Sequence, residues 1–298
     1  MPVVTAAGRH RYRLAGAMLV SIGILTIELI AGIAGNSLAL VADAGHVFAD
    51  VSGMAVALAA IWIANRPTTS TRSFGLYRLE IVAAVANALL LLGISLFVLW
   101  EGFSRLLTPP AIDSGLVIVV AAVALAANLI SLALLRGGHE GSLTMRGAYL
   151  EVVGDLLGAA AVLVAGIVMA ITGFVAADAI ASLLIGFLIL PRTWRLLRDS
   201  VDVLLEATPK GVDLEEVRKH ILEAPGVEAV HDLHAWTITS GMNVVSAHVV
   251  VRPDANPGAI LDHLGLCLSD DFDVDHSTFQ LETAEHVLWE GRGARVQL

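Results

Sequence analysis

The chain has 298 residues, of which 56% are hydrophobic and only 15% charged, and its formal net charge is −10. A mean hydropathy of +0.77 excludes an ordinary water-soluble globular protein. The acidic balance argues against nucleic acid as a partner, and the single cysteine, Cys267, excludes an intrachain disulfide or a cysteine-rich zinc motif.

A membrane span needs about 20 mostly apolar residues. Six stretches qualify, at about 12–34, 37–64, 79–100, 114–135, 143–171 and 175–196. The first is too long for a signal peptide and lacks a small-residue cleavage pattern, so no cleaved leader is expected. Arginines fix the orientation. With the N-terminus inside, the inner segments carry Arg9, Arg11, Arg13, Arg66, Arg72, Arg78, Arg136, Arg146, Arg192, Arg195 and Arg198, and the outer loops only Arg105. The positive-inside rule then places both termini in the cytoplasm.

Within the second span, His46 and Asp50 stand four residues apart; within the fifth, Glu151 and Asp155 repeat that spacing. Ionisable groups at bilayer depth are costly and mark function. The i, i+4 spacing puts each pair on one helix face. Two such helices face to face offer one imidazole and three carboxylates, enough to hold one divalent cation. Gly53, Gly154 and Gly158 on the same spans allow the close helix approach this needs. Glu28, Asp43, Asn87, Asn128 and Asp178 are further polar groups inside spans. They either wet an ion path or pair with neighbouring helices.

Composition changes after the sixth span. Residues 200–298 hold 17 Asp or Glu against 6 Lys or Arg, a net of −11. The pattern predicts a helix at 214–223, strands at 229–239 and 242–251 joined by the turn Ser240-Gly241, a helix at 257–268 and a strand at 277–282. This αββαβ order predicts a small α+β domain with helices on one sheet face. Cys267 falls on its second helix, where core packing is expected. Strict alternation puts His231 and His234 on opposite faces of their strand unless a bulge intervenes.

Several separate motifs together resemble one family. The run 36–50 with Asn36, Ser37, Asp43, His46 and Asp50, the run 73–80 with Phe74, Arg78 and Glu80, the run Arg146 to Tyr149, and the run 230–236 with His231, His234 and Trp236 resemble the signatures of the cation diffusion facilitators. The likeness spans residues 9–285. It implies an α-helical membrane protein with six transmembrane helices (1–198) and a C-terminal α+β, ferredoxin-like cytoplasmic domain (199–298). It also implies a homodimer in the cell (plasma or inner) membrane that exports Zn²⁺, or Cd²⁺, Co²⁺, Mn²⁺ or Fe²⁺, in exchange for protons. No enzymatic activity and no prosthetic group are implied; the divalent cation is substrate and regulator.

By the same resemblance His46, Asp50 and Asp155 fall on the transport ligands, and Glu151 stands where zinc exporters of the family usually carry His. An added carboxylate moves the site toward harder ions such as Mn²⁺. His231, His248 and His276 resemble positions that bind regulatory metal in the cytoplasmic domain, and Arg78 resembles a residue that pairs with an acid after span six, here Glu206. The loop 65–73 lacks the ligands that some members carry there, and the loop holding His139 and Glu140 reads as a solvated turn. Two other classes are compatible with four such ligands: a membrane metal sensor and an intramembrane metal-dependent hydrolase.

Overall fold

The computed structural model describes residues 6–64, 69–135 and 143–286. Among these, six long helices come first: α1 (Ala6–Ala34), α2 (Leu38–Ala64), α3 (Arg78–Leu107), α4 (Ser114–Leu135), α5 (Leu143–Thr172) and α6 (Ala176–Leu204). There follow α7 (Leu214–Glu223), β1 (Val227–Thr239), β2 (Met242–Val251), α8 (Pro257–Phe272) and β3 (Val274–Glu282). Each expected span is matched by one helix. Over the described residues, α3, α4, α5 and α6 are long and apolar enough to cross a membrane, and α1 has a shorter apolar stretch at Met18–Ala34. The chain divides into two compact units, one of 1–62 with 83–198 and one of 63–82 with 199–298.

The first unit is a helix bundle that hides small residues inside and shows large ones outside. Leu38, Ala39, Leu40 and Ala42 of α2, Val117 and Ala121 of α4, Val162 of α5 and Ala181 of α6 share one buried cluster. Leu19, Ile30, Trp100, Ile171 and Leu188 point outward. That inversion of the soluble pattern is what lipid as solvent requires. Gly158 is a close-approach glycine: a Cβ there would lie 2.5 Å from Asp43 Oδ1. Gly154 lies beside the His46 ring, with a built Cβ 3.9 Å from its Nε2, whereas a Cβ on Gly53 meets nothing within 4 Å.

The turn before α2 is tied down by polar contacts. Asn36 adopts φ 54°, and Arg105 donates to its carbonyl at 2.7 Å. Asp178, wholly buried at the start of α6, caps α2: its Oδ1 accepts from Ser37 Oγ at 2.5 Å and its Oδ2 from the Leu38 N–H at 2.8 Å. This is N-capping supplied from another helix.

In the second unit a three-stranded sheet of order β1-β2-β3 pairs β1 antiparallel to β2 and β2 parallel to β3. α7 and α8 supply Val217, Ile221, Leu264 and Leu268 to one core with Leu233, Val245, Val249 and Leu281. Side-chain caps start both helices, Asp213 on α7 and Asn256 before Pro257 on α8. α8 runs four residues beyond the predicted end because Asp273 closes it in the left-handed region, φ 53°. Cys267 packs against this core, where burial and then the nearby Asp271 push its thiol pKa up. Arg78 Nη2 donates to Glu206 Oε1 at 2.7 Å, so the expected ion pair forms. Glu80 accepts from Thr239 and Ser240 in the same unit.

Candidate metal sites

Helical spacing brings His46 and Asp50 to one face of α2, and α5 presents Asp155 to them. His46 Nε2 lies 4.0 Å from Asp50 Oδ2 and 3.6 Å from Asp155 Oδ1. One donor atom from each of the three falls within 4.8 Å of the others. Four donors about 2.0–2.2 Å from a tetrahedral zinc ion would stand about 3.3–3.6 Å from one another. The His46–Asp155 separation already lies at the edge of that range, and the His46–Asp50 separation is about 0.4 Å beyond it. Asp50 and Asp155 are buried, and Asp50 Oδ2 accepts no hydrogen bond from the described residues. A buried anionic oxygen without a donor is a strong acceptor for a cation. The Glu151 backbone lies in α5, four residues before Asp155; its side chain is outside the described residues. His139 and Glu140, and residues 65–68 of the segment before Ser70, also fall outside them.

Two further acids, Glu28 of α1 and Asp43 of α2, are buried in the same bundle. Glu28 and Asp43 are 1% and 2% exposed. Asp43 occupies the space that the missing side chain of Gly158 leaves. One neighbour was not legible as part of the site: Arg192 of α6, whose Nη2 lies 3.3 Å from Asp50 Oδ1. In sequence it is one more arginine at the end of an apolar run.

A second group forms on the sheet face opposite α7 and α8. His231 of β1 pairs with His248 of β2, their rings 5.0 Å apart. Glu282, at the end of β3, is hydrogen-bonded to His231 Nε2 and lies 3.8 Å from His248 Nδ1. These three also form a group able to hold a metal ion. His276 stands apart from them. It pairs with Val244, while His248 pairs with Gln280; four residues of strand place it about 13 Å along the sheet. Its ring meets Phe74, with centroids 6.2 Å apart. Glu282 takes its place because β3 runs parallel to β2, which the sequence pattern does not disclose. His231 and His234 oppose His248 and Ser246, two residues apart on β2, across a bulge. Asp232 at φ 46° supplies that bulge, so both histidines lie on one face.

Comparison with known proteins follows the same division. The profile of the cation efflux transmembrane domain matches residues 14–205, and that of the cation efflux protein cytoplasmic domain matches 209–284. The chain is 47% identical over 261 residues to the metal cation efflux system protein CzcD of Cupriavidus metallidurans, covering 87% of this chain and 83% of the relative. It is 38% identical to the zinc transporter ZitB of Escherichia coli, covering 91% and 87%. With the cadmium, cobalt and zinc/H(+)-K(+) antiporter of Bacillus velezensis it shares 36% identity over 94% and 91%. A solved metal-bound C-terminal domain of a CzcD transporter is 47% identical over 24% of this chain and 99% of its own, with a TM-score of 0.23. The chain belongs to the cation efflux family, the cation diffusion facilitators, and is a multi-pass membrane protein.

Proposed function

We propose that this protein exports divalent metal cations, Zn²⁺ foremost, from the cytoplasm in exchange for protons. The observation that carries the reading is the convergence of His46, Asp50 and Asp155 from two helices onto one point inside an apolar bundle. Glu151, on the same face of α5 by its spacing, completes a four-ligand transport site. The names of the relatives support the cargo and the coupling: metal cation efflux, zinc transport, and zinc/H(+)-K(+) antiport.

Coupling follows from the ligand chemistry. An imidazole and carboxylates bind a metal only when deprotonated, so metal and protons compete for the same atoms. A site that holds either the cation or protons is close to neutral in both forms. With neither it strands several carboxylates in a low dielectric, which opposes reorientation. Obligatory exchange is the result, and no covalent chemistry is required.

The rest of the proposed architecture follows the family. All six long helices span the membrane, forming a domain of 1–198, with residues 199–298 as a ferredoxin-like cytoplasmic domain. Both termini are cytoplasmic, the location is the inner or plasma membrane, and the protein works as a homodimer. His231, His248 and Glu282 offer regulatory metal a site on the cytoplasmic sheet, with His276 as a separate sheet-face histidine.

Reconstituted proteoliposomes decide it. Zn²⁺, Cd²⁺, Mn²⁺, Co²⁺ and Fe²⁺ are offered in parallel, with and without an imposed pH gradient at constant voltage. Uphill metal movement driven by protons, with Zn²⁺ among the best substrates, is expected. Absence of flux in folded protein would overturn the transport reading. Flux indifferent to the pH gradient would overturn the coupling.

A further inference from the structure

Asp50 divides its carboxylate between two neighbours. Oδ2 faces His46 Nε2 at 4.0 Å, inside the ligand group, and Oδ1 lies 3.3 Å from Arg192 Nη2. The Asp50 side chain is 8% exposed and that of Arg192 54%, so a solvated guanidinium reaches onto a buried carboxylate. Arginine keeps its charge at any relevant pH. A residue that served only to set topology or bind lipid phosphate would have no reason to contact this carboxylate. The contact also sits beside the one proline of α6. Pro191, immediately before Arg192, lies inside the helix and can donate no hydrogen bond to the Phe187 carbonyl, which loosens the helix locally.

We propose that Arg192 is the built-in counter-charge of the transport site: its guanidinium shares the Asp50 carboxylate with the cation substrate, weakening cation binding and promoting release. The inference rests on reading His46, Asp50 and Asp155 as substrate ligands. A divalent ion bound to Asp50 Oδ2 stands close to a fixed positive charge and is repelled by it. When the ion leaves, the same guanidinium compensates a carboxylate that would otherwise be stranded. Throughput requires binding strong enough to capture and weak enough to let go. Arg192 shifts that balance toward release at the one ligand it touches.

The test uses the full-length protein in detergent for equilibrium Zn²⁺ binding, and proteoliposomes for Zn²⁺ flux. The binding lost in Asp155→Ala defines the transport site and separates it from other zinc-binding groups. Arg192→Gln is expected to bind Zn²⁺ at that site about tenfold more tightly, the effect of one unit charge on a divalent ion roughly 6 Å away in a water-like dielectric. Half-saturating Zn²⁺ for flux should fall and maximal flux should fall with it, a split that a general packing defect does not produce. Arg192→Lys, which keeps the charge, should return both toward wild type. Arg192→Met carries the same expectation as Gln and replaces it if the Gln variant does not fold. Unchanged or weaker Zn²⁺ affinity at the Asp155-dependent site in the folded Gln or Met variant would overturn the inference. If Asp155→Ala removes no binding, the transport-site reading itself fails.

Discussion

Asp178→Ala should destabilise the bundle without touching a proposed metal ligand. The Asp178 carboxylate is fully buried and accepts from Ser37 Oγ at 2.5 Å, from the Leu38 N–H at 2.8 Å and from the Ala39 N–H at 3.4 Å. Truncation removes the cap of α2 and leaves first-turn N–H groups where water does not reach. Loss of a cap costs about 1 kcal/mol, and each orphaned buried donor about 1–3 kcal/mol. Some relaxation is expected, so the net loss is about 2–4 kcal/mol. For a unit of nearly two hundred residues that lowers Tm by about 5–15 °C. Thermal unfolding of purified protein in detergent measures it. Asp178→Asn keeps one acceptor oxygen and should recover roughly half of the loss. A melting temperature for Asp178→Ala within about 2 °C of wild type would refute the argument that this carboxylate holds the start of α2.

Asp50→Ala and Asp155→Ala should each abolish metal flux while leaving folded, membrane-inserted protein; substantial flux in either purified variant would break the shared-site reading. Glu151→His exchanges an oxygen for a nitrogen donor and should favour Zn²⁺ and Cd²⁺ over Mn²⁺ in side-by-side competition; an unchanged ion ranking would place Glu151 outside the coordination shell. For Arg78 and Glu206, both about half exposed, a double-mutant cycle scored by Tm should give a coupling of about 0.5–1 kcal/mol, the upper part of the range for exposed pairs. Simple additivity would leave Arg78 as a topology determinant.

Legibility in the sequence followed the range of the interaction. The positions of α1 to α6 and the order of α7, β1, β2, α8 and β3 rest on local periodicity, and the structure keeps them. Element ends moved where one residue's backbone decides: Asp273 in the left-handed region extends α8 and brings β3 forward to Val274. The grouping of His46, Asp50 and Asp155 was readable because carboxylates and imidazole in an apolar run stand out at helical spacing. Glu282 was not, because its place beside His231 and His248 depends on the parallel register of β3 with β2. Arg192 and Asp178 were seen but not placed. A charge at a span end satisfies the positive-inside bias or reaches the interface equally well, and only the packing of α6 against α2 selects the actual partner.

Those two α6 residues also constrain how α2 is held. Asp178 meets Leu38 and Arg192 meets Asp50, fourteen residues later on α6 and twelve later on α2. At 1.5 Å per residue these are about 21 Å and 18 Å, so the two helices run parallel and in near register from the cap to Asp50. Between them Asp43 of α2 meets Gly158 of α5. α2 is therefore gripped at its start by a cap, in its second turn by a close helix approach, and at Asp50 by a guanidinium. Only the last contact touches a residue proposed to hold the cargo. Asp178→Ala should thus lower Tm and leave Zn²⁺ affinity of the folded fraction within about twofold, while Arg192→Gln should change affinity with little change in Tm. At a separation near 20 Å the double variant should show both effects added to within about 0.5 kcal/mol. A double variant in which loss of the cap erased the affinity change would mean that α2 transmits strain from its first turn to Asp50, and the two contacts would then be one device rather than two.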